Sequence, residues 1–417
     1  MNATIASTAS AFPVSAEPLM GLARLMTLAF TEVDLAPIGA RLLDRAAASP
    51  DDAEALMDLS TLLQLRGDKQ IGLAAQAQAL RLRQLYRQPA HVPARIRLLA
   101  IMAPGDLMAN TPLDFLVQHT DVALEMLYVL PGQALPATLP DHDLVFIAVC
   151  ENDNNRALLE QLDGHTWPKP VCNRPGRIGR TSRELAHELL ASAPRIVMPA
   201  SARINRTLLE DIAHCRAELR GHLADGAFPL IIRPVDSHAG HGLEKIDTPE
   251  DLAAYLAKMA DSEFHLSRFV DYRSADGQYR KYRVVLIDGR PYAGHMGISA
   301  HWMIHYLNAG MTECPQKRRE EELFMEGFDR DFAIRHGEAL AAIVKRIGLD
   351  YLVMDCGETA DGRLLVFEID PGAVVHDMDP VALFPYKHAK MQKVFAAFYD
   401  MLLCAKASEA NLCAPRS

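Results

Sequence analysis

Residues 351–372 read YLVMDCGETADGRLLVFEIDPG, and this stretch decides the fold. Two apolar runs of β-type residues, 351–354 and 364–367, flank the turn sequence Glu358-Thr-Ala-Asp-Gly362, which predicts a hairpin. Side chains two apart on a strand share a face, so Glu368 and Asp370 project together. A register that sets Asp355 opposite them gathers three carboxylates beside a buried strand pair. Such a cluster is costly unless a cation or proton neutralises it. Its oxygen donors suit a hard divalent ion, magnesium above all.

Composition narrows what surrounds this hairpin. With 417 residues, 49% of them hydrophobic, the chain is long enough for two or three domains with cores of their own. A formal net charge of −10 argues against a nucleic-acid partner. Cysteines 150, 172, 215, 314, 356, 404 and 413 are scattered without a CxxC pair, which predicts reduced thiols in a cytoplasmic protein. Residues 1–17 lack a basic region and an uninterrupted apolar run, so they read as a disordered leader and not a signal peptide. No apolar run reaches the ~20 residues of a membrane helix, and no membrane partner is expected.

From 18 to about 88 the chain is rich in Leu and Ala at helical spacing, with Leu56, Leu59, Leu63, Ala75 and Ala79 able to pack together. Residues 18–92 therefore form an all-α module. The segment DAEALMDLSTLLQLRGDKQIGLAAQAQALRL resembles one tetratricopeptide repeat, with Leu59, Ser60 and Leu63 in its first helix, Gly67 at its turn and Gly72, Ala79 and Leu80 in its second. That resemblance implies a peptide or protein partner, against the alternative of a helical bundle packed on its neighbour.

A prolyl break at Pro89 and Pro93 opens a different texture. ARIRLLAIM, DVALEMLYVL and DLVFIAVC read as strands buried on both faces, with helix candidates at 112–119 and 154–162 between and after them. Alternating strand and helix predicts an open parallel sheet. Pro104-Gly105-Asp106 stands where a dinucleotide fingerprint would follow the first strand, which disfavours that kind of site.

In FPLIIRPVDSHAGHGLEKI a strand delivers Arg233 to the loop Asp236-Ser-His-Ala-Gly-His-Gly242. A small loop rich in backbone donors can wrap phosphates while an arginine fork adds charge-assisted bonds. Two glycines alone fit an ordinary turn equally well. Together, a phosphate cradle upstream and a magnesium site downstream make the two halves of a nucleoside triphosphate site.

In this order of parts the chain resembles the ATP-grasp family of carboxylate-activating ligases over residues 94–400. The resemblance implies an α+β ATP-grasp fold with a preceding Rossmann-like α/β domain at 93–200. A small subdomain with the glycine loop follows at 201–270, a large subdomain with the metal site at 271–405 and a flexible tail at 406–417. It implies ATP and one or two magnesium ions as cofactors, with manganese as a substitute. By this resemblance Arg183, in WPKPVCNRPGRIGRTSRELAHELL, touches the α-phosphate, Arg233 the neighbouring phosphates, and Ser237, His238, Gly240 and Gly242 close over them. Both basic positions are usually lysine in the family, and arginine keeps the charge with bidentate reach. Ser267, Phe269 and Val270 match the hinge that holds adenine. Lys281 stands where many members place an acid for the ribose, leaving Asp271 or Asp276 as substitutes. Arg283 matches an arginine facing the transferred phosphate, and Asp355, Glu368 and Asp370 match the metal ligands, with Asp370 in place of the usual asparagine.

The activity so implied is ADP-forming: a carboxylate becomes an acyl phosphate and is joined to an amine, on a small-molecule, amino-acid or peptide substrate. A small-molecule kinase and a non-catalytic nucleotide-binding scaffold are the alternatives, and an oligomer is compatible with all three. HMGISAHWMIHYLNAGM carries His295, His301, Trp302, His305 and Tyr306 and reads as a substrate-contacting or lid segment; the i, i+4 spacing of His301 and His305 lacks the glutamate of a zinc motif. His376, Asp377 and Asp379 follow the metal strand directly and are candidates to orient the acceptor or to serve as its base, His376 first among them.

Overall fold

The computed structural model describes residues 17–235 and 240–412, with the side chains of 409–412 excluded. The expected leader, residues 1–16, lies outside that range. Four helices come first: α1 (Gly21–Phe30), α2 (Ala36–Ala48), α3 (Ala53–Leu65) and α4 (Lys69–Leu82). Asp52 starts α3 as its N-cap, accepting from Ala55 N, and ion-pairs with Arg45 of α2. Leu56, Met57, Ala79 and Leu80 of α3 and α4 are buried in one core with the α/β sheet beside them. Ala55, Leu59 and Leu62 of α3 instead pack with Leu35 and Leu42 in a smaller core.

That sheet has the order β1-β3-β2-β4-β5, from β1 (Leu85–Gln88), β2 (Ile96–Met102), β3 (Val122–Tyr128), β4 (Leu144–Ile147) and β5 (Val171–Cys172). All neighbours are parallel except β1, which runs antiparallel to β3. Residues 85–88 had been read as part of the helical module. Tyr86 explains the difference: its ring is 1% exposed and packs edge-on against Tyr128 of β3.

A short strand, β6 (Ile196–Val197), then leaves for another sheet. The next four, β7 (Ser201–Asn205), β8 (Leu230–Pro234), β9 (Glu244–Ile246) and β10 (Glu263–Arg268), form an antiparallel sheet with the order β7-β10-β8-β9 and a separate core. The third sheet has the order β12-β11-β13-β14-β6, from β11 (Tyr279–Ile287), β12 (Arg290–Ser299), β13 (Tyr351–Glu358) and β14 (Leu364–Ile369). The hairpin expected at 351–372 is β13–β14. A helix, Lys387–Leu412, is the last described element and carries residues 406–412 of the expected flexible tail, with no glycine or proline to interrupt it; residues 413–417 lie outside the described range.

Among the described residues no helix is long and apolar enough to cross a membrane. The described cysteines 150, 172, 215, 314, 356 and 404 are free.

Candidate active site

The third sheet aligns charged side chains by register. His295 on β12 pairs with Arg283 on β11, Arg283 with Asp355 on β13, and Asp355 with Glu368 on β14. Directly opposed residues share a face, so these four form one row across the sheet. Lys281, two residues before Arg283, points the same way.

Asp355 is 2% exposed, and its carboxylate is fully engaged. Oδ1 accepts from Arg283 Nε at 2.8 Å and Oδ2 from Arg283 Nη2 at 3.0 Å, and Lys281 Nζ forms an ion pair with Oδ2 at 2.7 Å. Burial works against ionisation, but Arg283 and Lys281 outweigh it and hold the carboxyl far below its usual range. Asp355 is the residue expected to join Glu368 and Asp370 in holding a metal. Two cations on β11 take Asp355, and among the described residues no three acidic, histidine or cysteine side chains converge as metal ligands.

Glu368 and Asp370 lie at the end of β14. Arg183 opens the helix Arg183–Leu190, capped by Ser182, and donates from Nη2 to Glu368 Oε2 at 2.9 Å. Burial raises the Glu368 carboxyl, yet the charges of Arg183, Lys281 and Arg233 leave it below the ordinary value. Asp370 accepts from Gly372 N at 2.7 Å, and burial together with the Glu368 charge pushes it up to about 6. A carboxylate so raised lacks positive charge. Glu368 and Asp370 therefore fit a hard divalent ion by donor chemistry and by electrostatics. Gly372 lets the α/β domain approach this end closely: a Cβ there would lie 2.7 Å from Cys150 Sγ and 3.3 Å from the Met108 carbonyl.

The four-stranded sheet faces the row with the nucleotide candidates. Arg233 lies on β8 opposite His265 of β10, and His265 Nδ1 is 3.4 Å from Glu184 Oε1, beside Arg183. Ser237 and His238 lie outside the described residues. Gly240 and Gly242 have φ of +78° and +64°, and a Cβ on Gly242 would sit 2.7 Å from Pro234 Cδ, so glycine is required there. A Cβ on Gly240 would lie 3.5 Å from Met303 Sδ, which places Gly240 across from the 301–308 segment.

The hinge positions divide. Ser267 is inside the sheet, paired with Ser201 and Ile231, so its backbone serves the ladder and not a ligand. Phe269 N donates to Pro229 O, while its ring meets Trp302 edge-on at 5.7 Å and lies 5.0 Å from Lys245 Nζ. Val270 packs on the main core. Neither ribose candidate is an open carboxylate: Asp271 pairs with Arg273 at 2.8 Å and Asp276 with Arg280 at 2.7 Å.

His376 is also engaged. Its Nδ1 accepts from Met378 N at 3.2 Å, and burial lowers its pKa to about 4, so its remaining nitrogen carries a hydrogen. In that form its Nε2–H can orient an acceptor. The segment 301–305 is irregular, so His301 and His305 do not share a helical face; only Tyr306–Asn308 forms a single 3₁₀ turn. Beneath it lies a network that the sequence reading missed. Glu321, fully buried, accepts from Met296 N, Tyr306 OH and Tyr386 OH at 3.0, 2.9 and 2.7 Å and sits 3.3 Å from Lys387 Nζ. Lys387 also pairs with Asp379 at 3.0 Å. Glu321 sits inside the charge run KRREEE, where nothing distinguishes it from solvated neighbours.

No protein-family model matches the chain, and no curated protein sequence matches it. Among solved structures the chain is similar to D-alanine–D-alanine ligase from Bacillus anthracis complexed with ATP, at 14% identity and a TM-score of 0.44, covering 75% of this chain and 99% of that one. It is similar to VanG D-Ala:D-Ser ligase from Enterococcus faecalis at 14% and 0.43, covering 76% and 100%. A RimK domain ATP-grasp protein from Sphaerobacter thermophilus is similar at 17% and 0.38, covering 73% and 99%.

Proposed function

We propose that this chain is an ATP-dependent, ADP-forming ligase that activates a carboxylate as an acyl phosphate and joins it to an amine. The row Arg283–Asp355–Glu368, with Lys281 and Arg183 at its flanks, carries the proposal. It presents fixed cations for phosphate oxygens next to two carboxylates suited to a metal.

On this reading Arg183 and Arg233 bind the phosphates, and the loop with Ser237, His238, Gly240 and Gly242 closes over them. Phe269, Trp302 and Val270 wall the adenine. Glu368 and Asp370 would hold magnesium, and Asp355 anchors the site by fixing Arg283 and Lys281. Magnesium there supplies neutralisation of phosphate charge. A carboxylate oxygen of the substrate bonds to the γ-phosphorus as the bond to ADP breaks. The amine nitrogen then bonds to the acyl carbon, phosphate leaves, and the amine loses its proton. On the same reading Arg283 stabilises the charge of the transferred group. Its own charge is secure, since Asp355 holds its pKa above the ordinary value against burial.

Nothing in this sequence needs an enzyme nucleophile, and burial raises the Cys150 and Cys356 thiols well above their ordinary range. The chemistry is positioning and charge stabilisation.

The test is to incubate the purified protein with ATP, magnesium and pools of carboxylates, amino acids and peptides. ADP with a product one water lighter than its parts is the expected result. A phosphorylated product without condensation would make it a kinase, and tight ATP binding without turnover a scaffold.

A further inference from the structure

A second site lies away from this cleft. Between the helical module and the carboxyl ends of β2 and β3 is a cavity of about 80 Å³, walled by Asp58 and Gln64 of α3, Tyr86 of β1, Asp114 and Tyr128. Carboxyl ends of parallel strands are where open α/β sheets bind ligands. Asp58 is 0% and Asp114 8% exposed, yet neither has an ion-pair partner among the described residues. Backbone groups at the start of α1 partly satisfy them: Asp58 accepts from Met20 N at 2.8 Å and Gly21 N at 3.0 Å, and Asp114 from Ala23 N at 2.6 Å.

These contacts, with a Gln88 side-chain hydrogen bond to Asp114 and the more distant Arg45 charge acting on Asp58, seat α1 but place no cation against either carboxylate. Two further wall groups point to a ligand. Tyr86 is 1% exposed, and its hydroxyl has no hydrogen-bond partner among the described residues; Gln64 Oε1 also has none. The wall therefore offers acceptors in excess: two carboxylates and an amide oxygen. A protonated primary amine brings three N–H donors and one positive charge, which this wall lacks. At about 10–15 Å³ for each water-sized group, the cavity holds roughly five to eight heavy atoms.

We propose that this cavity binds a small molecule carrying a protonated amino group, of the size of a simple amino acid or amino alcohol, as a ligand separate from the ATP cleft. Burial also raises the Asp58 carboxyl to about 6, the response of an acid short of a cation. The proposal stands on binding alone and does not require ligase turnover.

Calorimetry on the full-length protein, without ATP, would use glycine, L-alanine, D-alanine, L-serine and ethanolamine, with lactate and ethylene glycol as amine-free controls. At least one amine should bind with a stoichiometry of one, and the controls should not. Tyr86→Phe, which removes only the hydroxyl, should weaken that binding by about fivefold, one hydrogen bond's worth. Asp58→Asn should weaken it by about tenfold or more. Because Asp58 also seats α1, Thr61→Leu provides a second variant, filling the cavity without touching a carboxylate, and should abolish binding. Glu368→Gln, in the cleft, should leave it intact. Binding of no amine, equal binding of the controls, survival in Thr61→Leu, or loss in Glu368→Gln would each overturn the proposal.

Discussion

Asp355→Asn is the sharpest probe of the row. In the native chain three donors meet this one carboxylate, two of them on Oδ2. Asparagine keeps the shape but has a single acceptor oxygen, so at least one donor faces an amide N–H, and two cations lose their counter-charge. Breaking a buried ion pair from one side costs about 3–5 kcal/mol. The Arg283 and Lys281 side chains are 20% and 22% exposed, so water recovers part of this, and the lower end, about 3 kcal/mol, is expected. At 1.4 kcal/mol per factor of ten, that is roughly 100-fold in the opening equilibrium. Native-state hydrogen exchange read by mass spectrometry is the suitable assay, because it resolves one sheet from another. Peptides covering 279–287 and 351–358 should lose about 100-fold in protection, while those from 201–205 and 263–268 hold theirs. Protection unchanged in β11 and β13 would refute the idea that the Asp355 charge organises the row.

Three further outcomes follow from the geometry. Gly242→Ala imposes about 1–2 kcal/mol of left-handed strain besides the contact with Pro234, so calorimetry should show ATP affinity down by roughly tenfold or more, with the fold retained. Glu368→Gln removes the partner of Arg183 and a proposed metal ligand, so the magnesium concentration for half-maximal ADP formation should rise by roughly tenfold or more. Asp58, raised from 3.8 to about 6, binds its proton more tightly when folded. Its stabilising contribution is complete below 3.8 and is lost as pH rises through 6. The thermal midpoint of the native chain relative to Asp58→Asn should therefore climb as pH falls through that window, by up to about 3 kcal/mol in stability.

What the sequence made legible is what local periodicity encodes. The β13–β14 hairpin follows from two apolar runs and a turn, and the three parallel strands from runs buried on both faces. The partners of Asp355 were not legible, because β11 and β13 are separated by a long stretch of chain and only the sheet register sets Arg283 opposite it. Lys281 looked like a defect in a ribose site, whereas on the sheet it is the second cation on Asp355. Residues 85–88 are too few for an alternation to register, and only Tyr86, seated against Tyr128, reveals the edge strand. His376 was read by residue type; the Met378 N–H that occupies its lone pair is a matter of turn geometry.

The charges of the row have a direction that residue types alone do not show. At β11 and β13, Lys281 and Arg283 exceed Asp355 by one positive charge, and near the end of β14 Glu368 balances Arg183. Beyond them Asp370 has no ion-pair partner among the described residues, and burial with the Glu368 charge pushes its carboxyl up to about 6. The field therefore runs from cationic on the β11 side to anionic at the end of β14. A polyanion carrying a divalent ion has the matching polarity when its phosphates lie toward Arg283 and its metal toward Asp370. Exchanging Asp370 for asparagine would flatten that gradient without disturbing Arg283. The loss should then appear in magnesium affinity and leave protection of β11 untouched, whereas Asp355→Asn alters both.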